Sequence, residues 1–106
     1  MQGPDKGHQV ILQTLPDPSG RWAAIVDQVE YANGLLTSVA DRVRVVEAAS
    51  MNAEGTLVFS EDALPDNERP TISWSGGRLL ISVSRNAAVL HRETRADGIE
   101  VVVRTR

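Results

Sequence analysis

Few side chains in this sequence can do acid–base, nucleophilic or metal chemistry. There are two histidines and no cysteine, which removes thiolate zinc sites, iron–sulfur clusters, disulfides and cysteine nucleophiles together. His8 and His91 share no spacing that would bring both rings onto a metal with a carboxylate. Each reads as a solvated or edge-strand side chain. The run Ser73-Trp74-Ser75-Gly76-Gly77 lacks the Gly two positions before a central Ser that a nucleophile elbow needs, so it reads as turn chemistry. No Gly-rich phosphate cradle of the dinucleotide or nucleoside triphosphate type occurs. Glu61, Asp62, Asp66 and Glu68 miss the spacing and the bending Gly of a calcium loop, and crowded carboxylates are easiest to accommodate in a solvated loop. The expectation is therefore a protein with no catalytic, cofactor or metal site. A small cofactor-free hydrolase that sets His91 beside a carboxylate stands as a distant third reading.

Charge offers a different kind of chemistry. Residues 1–69 carry five basic against eleven acidic side chains, a net of −6, whereas residues 70–106 carry six Arg against three acids, a net of +3. Arg78, Arg85, Arg92, Arg95 and Arg104 are the candidate anion contacts, because a guanidinium can grip carboxylate or phosphate in a bidentate way. They support a second reading, a nucleic-acid-contacting regulator. Single-strand binders also interleave aromatic residues for base stacking, and after residue 55 the aromatics are Phe59 and Trp74, both expected in the core. With an overall charge of −3, nucleic acid is the weaker partner class. The enrichment in Arg, Ala and Val is equally what a GC-rich bacterial genome would give.

These side chains need a scaffold. A chain of 106 residues, 42% apolar and 24% charged, makes one domain with one core. Residues 1–7 read as a flexible tail and residues 8–106 as the domain. No apolar run approaches the roughly 20 residues of a membrane-spanning helix, and no signal-peptide core follows the polar start. A cytoplasmic protein without membrane contact is expected.

His8–Leu15 reads as a strand closed by a Pro-Asp-Pro-Ser-Gly turn. Asp17-Pro18 then reads as a helix start, with Asp at the N-cap and Pro in the first turn. Trp22, Ile25, Val29, Ala32, Leu36, Val39, Val43 and Val46 recur alternately three and four apart, the stripe of an amphipathic helix. Asn33-Gly34 fits a C-cap, a weak point inside one helix or a hairpin turn; the continuing stripe favours one long or broken helix reaching to about residue 53. Against this, Arg42-Val43-Arg44-Val45 alternates at the strand period, so residues 36–53 stay open between helix and strand. Ser38 with Asp41 resembles a capping box, and Gly55 fits a C-cap.

From Thr56 the period becomes two. Leu57 and Phe59, then Ile72 and Trp74, then Leu79, Ile81 and Val83 alternate, with Ser75-Gly76-Gly77 as a hairpin turn. Asp97-Gly98 turns the chain into a last strand at Ile99, Val101 and Val103. The expected fold is α+β, an N-terminal strand and a long helix packed on an antiparallel meander. This element order resembles that of cystatin-like folds, whose inhibitory motifs have no counterpart here, so no function is carried over.

A helix of about 30 residues spans about 45 Å, more than short strands can cover. Leu36, Val39, Val43 and Val46, or the last strand through Ile99, Val101 and Val103, could then form an apolar seam between copies. The leading function reading is a non-enzymatic interaction or accessory module, a homo-oligomer and most simply a two-fold dimer, open to an unidentified protein partner. On the helical reading Leu36 is buried, and Leu36→Ala would cost about 2–5 kcal/mol.

Overall fold

The first half of the chain is extended, not helical. In the computed structural model, which describes residues 9–64 and 68–106, nine strands run in chain order. They are β1 (Gln9–Pro16), β2 (Trp22–Asn33), β3 (Leu36–Glu47), β4 (Thr56–Asp62), β5 (Thr71–Ser75), β6 (Arg78–Val83), β7 (Val89–Arg92), β8 (Arg95–Ala96) and β9 (Ile99–Thr105). The one helical element among the described residues is a 3₁₀ turn at Ala48–Ser50. The expected flexible tail, His8 and Asp66 lie outside the described residues.

The long helix of the α+β reading is overturned by the β2–β3 hairpin, which pairs without interruption from Trp22↔Glu47 to Asn33↔Leu36. Its loop is Gly34–Leu35, with Gly34 at φ +69° and no positive φ at Leu35, the pattern of a type II′ turn. Val and Ile favour such extended backbone because their branched side chains are crowded in a helix. The helical stripe was a coincidence of double-sided burial. Ala23, Ala24, Ile25, Val26 and Asp27 are all buried in succession, so β2 lacks the alternation of a one-sided strand. Asp17 does cap free backbone N–H groups, but in a strand connection, where its carboxylate accepts from Trp22 N at 3.2 Å and Ser19 Oγ at 2.9 Å.

The strands form two sheets, ordered β1-β2-β3-β4-β7 and β5-β6-β9-β8. The expected β5–β6 hairpin turns at Gly76 and Gly77, both at positive φ, and Asp97-Gly98 does the same between β8 and β9. The expected all-antiparallel meander needs correction, since β6 and β9 pair in parallel. After β6 the chain crosses to the other sheet as β7 and returns as β8 before β9 can lie beside β6.

Both sheets contribute to one core. Ala24, Val26, Val43, Val45, Val58 and Phe59 from the first meet Ile72, Leu79, Ile81, Val83, Ile99 and Val101 from the second. The smallest molecular extent, 19 Å, matches two sheets stacked about 10 Å apart. A bulge in β4 opposite Val43–Arg44 turns both Val58 and Phe59 inward. The rear of the first sheet buries a smaller cluster, Ala23, Ile25 and Val46. Residues 48–55 fold back over it, held by Arg44 Nη1 donating to the carbonyls of Ala53 and Glu54 at 3.3 and 2.8 Å.

Leu36 sits at the hairpin tip and is 71% exposed. Leu36→Ala should therefore change the unfolding free energy by less than about 0.5 kcal/mol, as surface substitutions do. Denaturant unfolding checks this directly, and a loss near ~3 kcal/mol would restore the buried stripe.

Candidate functional site

The polar chemistry of this protein lies in two adjacent cross-strand rows of the five-stranded sheet. In one row Val10, Gln28, Asp41, Glu61 and Val89 are successive partners across β1, β2, β3, β4 and β7. In the next, Ile11, Asp27, Arg42, Ser60 and His91 are partners in the same order. Neighbouring rows project to opposite faces of a sheet. The Glu61 row shares its face with Val26 and Val43, which look toward the second sheet, while the Asp27 row faces the rear with Ile25 and Val46.

On the rear face Asp27 is wholly buried and saturated with donors. It accepts from Gln9 Nε2 at 2.8 Å, from Arg42 Nε and Nη2 at 2.9 Å each, and from Arg44 Nε at 3.0 Å. Arg42 also reaches Glu54 Oε2 at 3.0 Å. Burial alone would raise the Asp27 pKa, but the hydrogen bonds from Arg42 and Gln9 and the charges of both guanidiniums outweigh it and hold the carboxyl below its ordinary value. With four donors around it and no exposed surface, this carboxylate is shut off from any substrate. It clamps β1, β2, β3 and the returning segment together.

The inward row is the reverse case. Asp41 and Glu61 are both buried and directly opposed on β3 and β4. Gln28 Nε2 donates to Asp41 Oδ1 at 2.7 Å, whereas neither carboxyl oxygen of Glu61 has a hydrogen-bond partner among the described residues. Burial, reinforced by the neighbouring Asp41 carboxylate and opposed by Arg106, pushes the Glu61 pKa up to about 7. No pattern in the sequence signals this pair, because Asp41 looks like a helix-capping residue and Glu61 like the first member of an acidic loop. Register separates the acidic residues instead. Glu61 points inward, Asp62 accepts from Tyr31 Oη at 2.6 Å, and Glu68 pairs with Arg106 at 3.0 Å.

The seven residues expected at an apolar seam are dispersed. Val43, Val46, Ile99 and Val101 are buried, Val39 and Val103 half-buried, and Leu36 exposed. Of the candidate anion contacts, Arg78, Arg95 and Arg104 share the outer face of the second sheet, where Glu100 is the cross-strand register neighbour of both Arg78 and Arg95. Arg85 follows β6 and Arg92 lies on β7, so all five are exposed without converging on one point. His91 Nε2 lies 3.0 Å from Glu93 Oε2 at the sheet margin, with both side chains close to half exposed. A shallow depression of about 410 Å³ between Trp22, Glu47, Gly55 and Asp97 does not include this pair.

Backbone left unpaired among the described residues at the margins of the first sheet is the remaining candidate feature. β1 is the outer strand of its sheet, and its eight residues, QVILQTLP, include no charge. Val10 and Ile11 are 52% and 57% exposed. A bulge between Ile11 and Gln13 and Pro16 at its end are the only devices on β1 that discourage pairing with another strand. At the opposite margin β7 exposes Val89 and Leu90 but is four residues long. No helix among the described residues is long and apolar enough to cross a membrane. Comparison with known protein families, curated proteins and solved structures found no match.

Proposed function

We propose that the chain is a non-enzymatic interaction module that works as a homo-oligomer, pairing through the outer edge of β1 with a second copy in a two-fold dimer. The uncharged β1 edge, with Val10 and Ile11 exposed, is the observation that carries this reading. Natural edge strands are usually blunted by Lys or another charge, because free N–H and C=O groups invite a further strand. In antiparallel self-pairing every β1 residue meets a neutral one, so no like charges are juxtaposed along the ladder. Fully paired, eight residues at about 3.4 Å each would form a ladder of about 27 Å, with the bulge dividing it.

Sedimentation velocity across concentration, at low salt and in about 1 M NaCl, tests the proposal. A backbone ladder with apolar contacts should persist at the higher salt, where charge interactions are screened beyond about 3 Å. Ile11→Lys should weaken the dimer at least about tenfold while the thermal midpoint of the monomer stays in place, because a charge on the edge must be desolvated to pair. Leu36→Lys, at the far hairpin tip, should leave the dimer intact. A wild-type monomer at all concentrations above micromolar would end this reading.

A further inference from the structure

We propose that Asp41 and Glu61 form a buried acid pair that holds one shared proton, and that releasing this proton loosens the end of the sandwich where β3, β4 and β7 meet. The geometry requires a donor that the site lacks. Asp41 and Glu61 are directly opposed across the β3–β4 ladder and both side chains are buried. Gln28 from β2 satisfies one Asp41 oxygen, while Glu61 has two buried oxygens and no partner among the described residues. A carboxylate only accepts; a carboxylic acid also donates. One proton on either residue supplies the missing O–H, allows an acid-to-carboxylate hydrogen bond and cancels one of two adjacent charges.

The surroundings give the deprotonated pair little support. From β2 the facing group is the neutral amide of Gln28, and from β7 it is Val89. Asp62, next to Glu61 on β4, belongs to the opposite face and is held by Tyr31. The cation acting on Glu61 is Arg106, beyond β9. Its guanidinium is already committed to Glu68 Oε1 and to the carbonyls of Arg69 and Ser82. A second negative charge in this row would have to draw Arg106 from those partners or part the strands to admit water.

Stability should fall, not rise, toward alkaline pH. Glu61 is raised from 4.5 to about 7 in the folded protein, so its contribution to stability is complete below 4.5, declines as pH rises through 7 and is flat above. Between those two values the unfolding equilibrium changes about tenfold for each pH unit, which amounts to about two to three powers of ten over the whole interval. The neighbouring Asp41 carboxylate is one cause of the raised Glu61 value, so neutralising either residue should remove the step.

Denaturant unfolding from about pH 5 to 8.5, with carboxyl carbon NMR of the wild-type protein, is the test. The unfolding midpoint should fall as pH rises through neutrality, and a Glu side-chain carboxyl should titrate near pH 7. In Glu61→Gln and Asp41→Asn the neutral-pH step should vanish and the variants should surpass wild type at about pH 8.5. Protection of the β4 and β7 amides, after correction for the intrinsic base-catalysed rise in exchange, should fall as pH rises from about 5 to 7 in wild type only. Should either variant fail to fold, the wild-type NMR titration still decides. A stability flat from about pH 5 to 8.5, or every carboxyl titrating below about pH 5, overturns the proposal. So does a step that survives both substitutions.

Discussion

Asp27→Ala should destabilise the protein by about 3–5 kcal/mol, the usual penalty for removing one partner of a buried ion pair. The expectation rests on what is left behind. Arg44, only 3% exposed, would keep its charge with its Nε donor unpaired, and Arg42 would lose both bonds of its bidentate grip. Gln9 would lose its anchor as well, which loosens the first residue of β1. Glu54→Ala is the contrasting control. Its carboxylate is exposed and meets Arg42 in solvent, where an ion pair contributes about 0–1 kcal/mol. Equilibrium urea unfolding of the two variants should separate them by several-fold in ΔΔG. Equal small losses would mean the buried cluster contributes no more than a surface contact.

Asp27 also contributes to the acid limb of the stability profile. Its folded pKa is depressed, so its contribution is present above the unfolded value of 3.8 and is lost as pH falls through the lower folded value. Glu61 acts in the opposite sense, fully stabilising only below 4.5. Asp27→Ala should make the acid limb shallower, since the depressed Asp17 also contributes there, while leaving the neutral one unchanged.

Gly55→Ala is expected to cost about 3 kcal/mol or more. Gly55 adopts φ +69°, where a side chain is strained, and an added Cβ would overlap the Val45 carbonyl oxygen and lie 2.5 Å from Val46 Cγ1. Backbone strain of about 1–3 kcal/mol is thus joined by overpacking of similar size, against backbone that cannot yield without disturbing β3. Gly34→Ala shares the positive φ but meets nothing within 4 Å, so its cost should be near ~1 kcal/mol. The difference between their thermal midpoints measures the steric part alone. Equal shifts would show that the segment after β3 can move aside.

Much of the second half of this fold is legible in the sequence because its strands bury one face. Leu79, Ile81 and Val83 alternate with Arg78, Leu80 and Ser82, and Gly-Gly and Asp-Gly mark two turns. In β2 the pattern disappears for a physical reason: the second sheet covers one face and residues 48–55 cover the other, so Ala23 through Asp27 are buried without interruption. What remained visible was the alternation of Arg42-Val43-Arg44-Val45. The guanidiniums of that run are drawn into contact with Asp27. The acid pair was invisible for another reason, since Asp41 and Glu61 lie far apart along the chain and only the β3–β4 register brings them together.

The parallel pairing of β6 with β9 constrains how this chain can fold while it is being made. β9 is the last strand in chain order, yet it lies inside its sheet, between β6 and β8. Until residues 99–105 leave the ribosome, the second sheet consists of the β5–β6 hairpin and the unpaired residues of β8. Leu79 and Ile81 then lack the cover of Ile99 and Val101, and the inner face of the first sheet is open. Domains that complete early can fold as they emerge; this core closes only after residues 99–105 are delivered, so the faces that Ile99 and Val101 cover stay open until then.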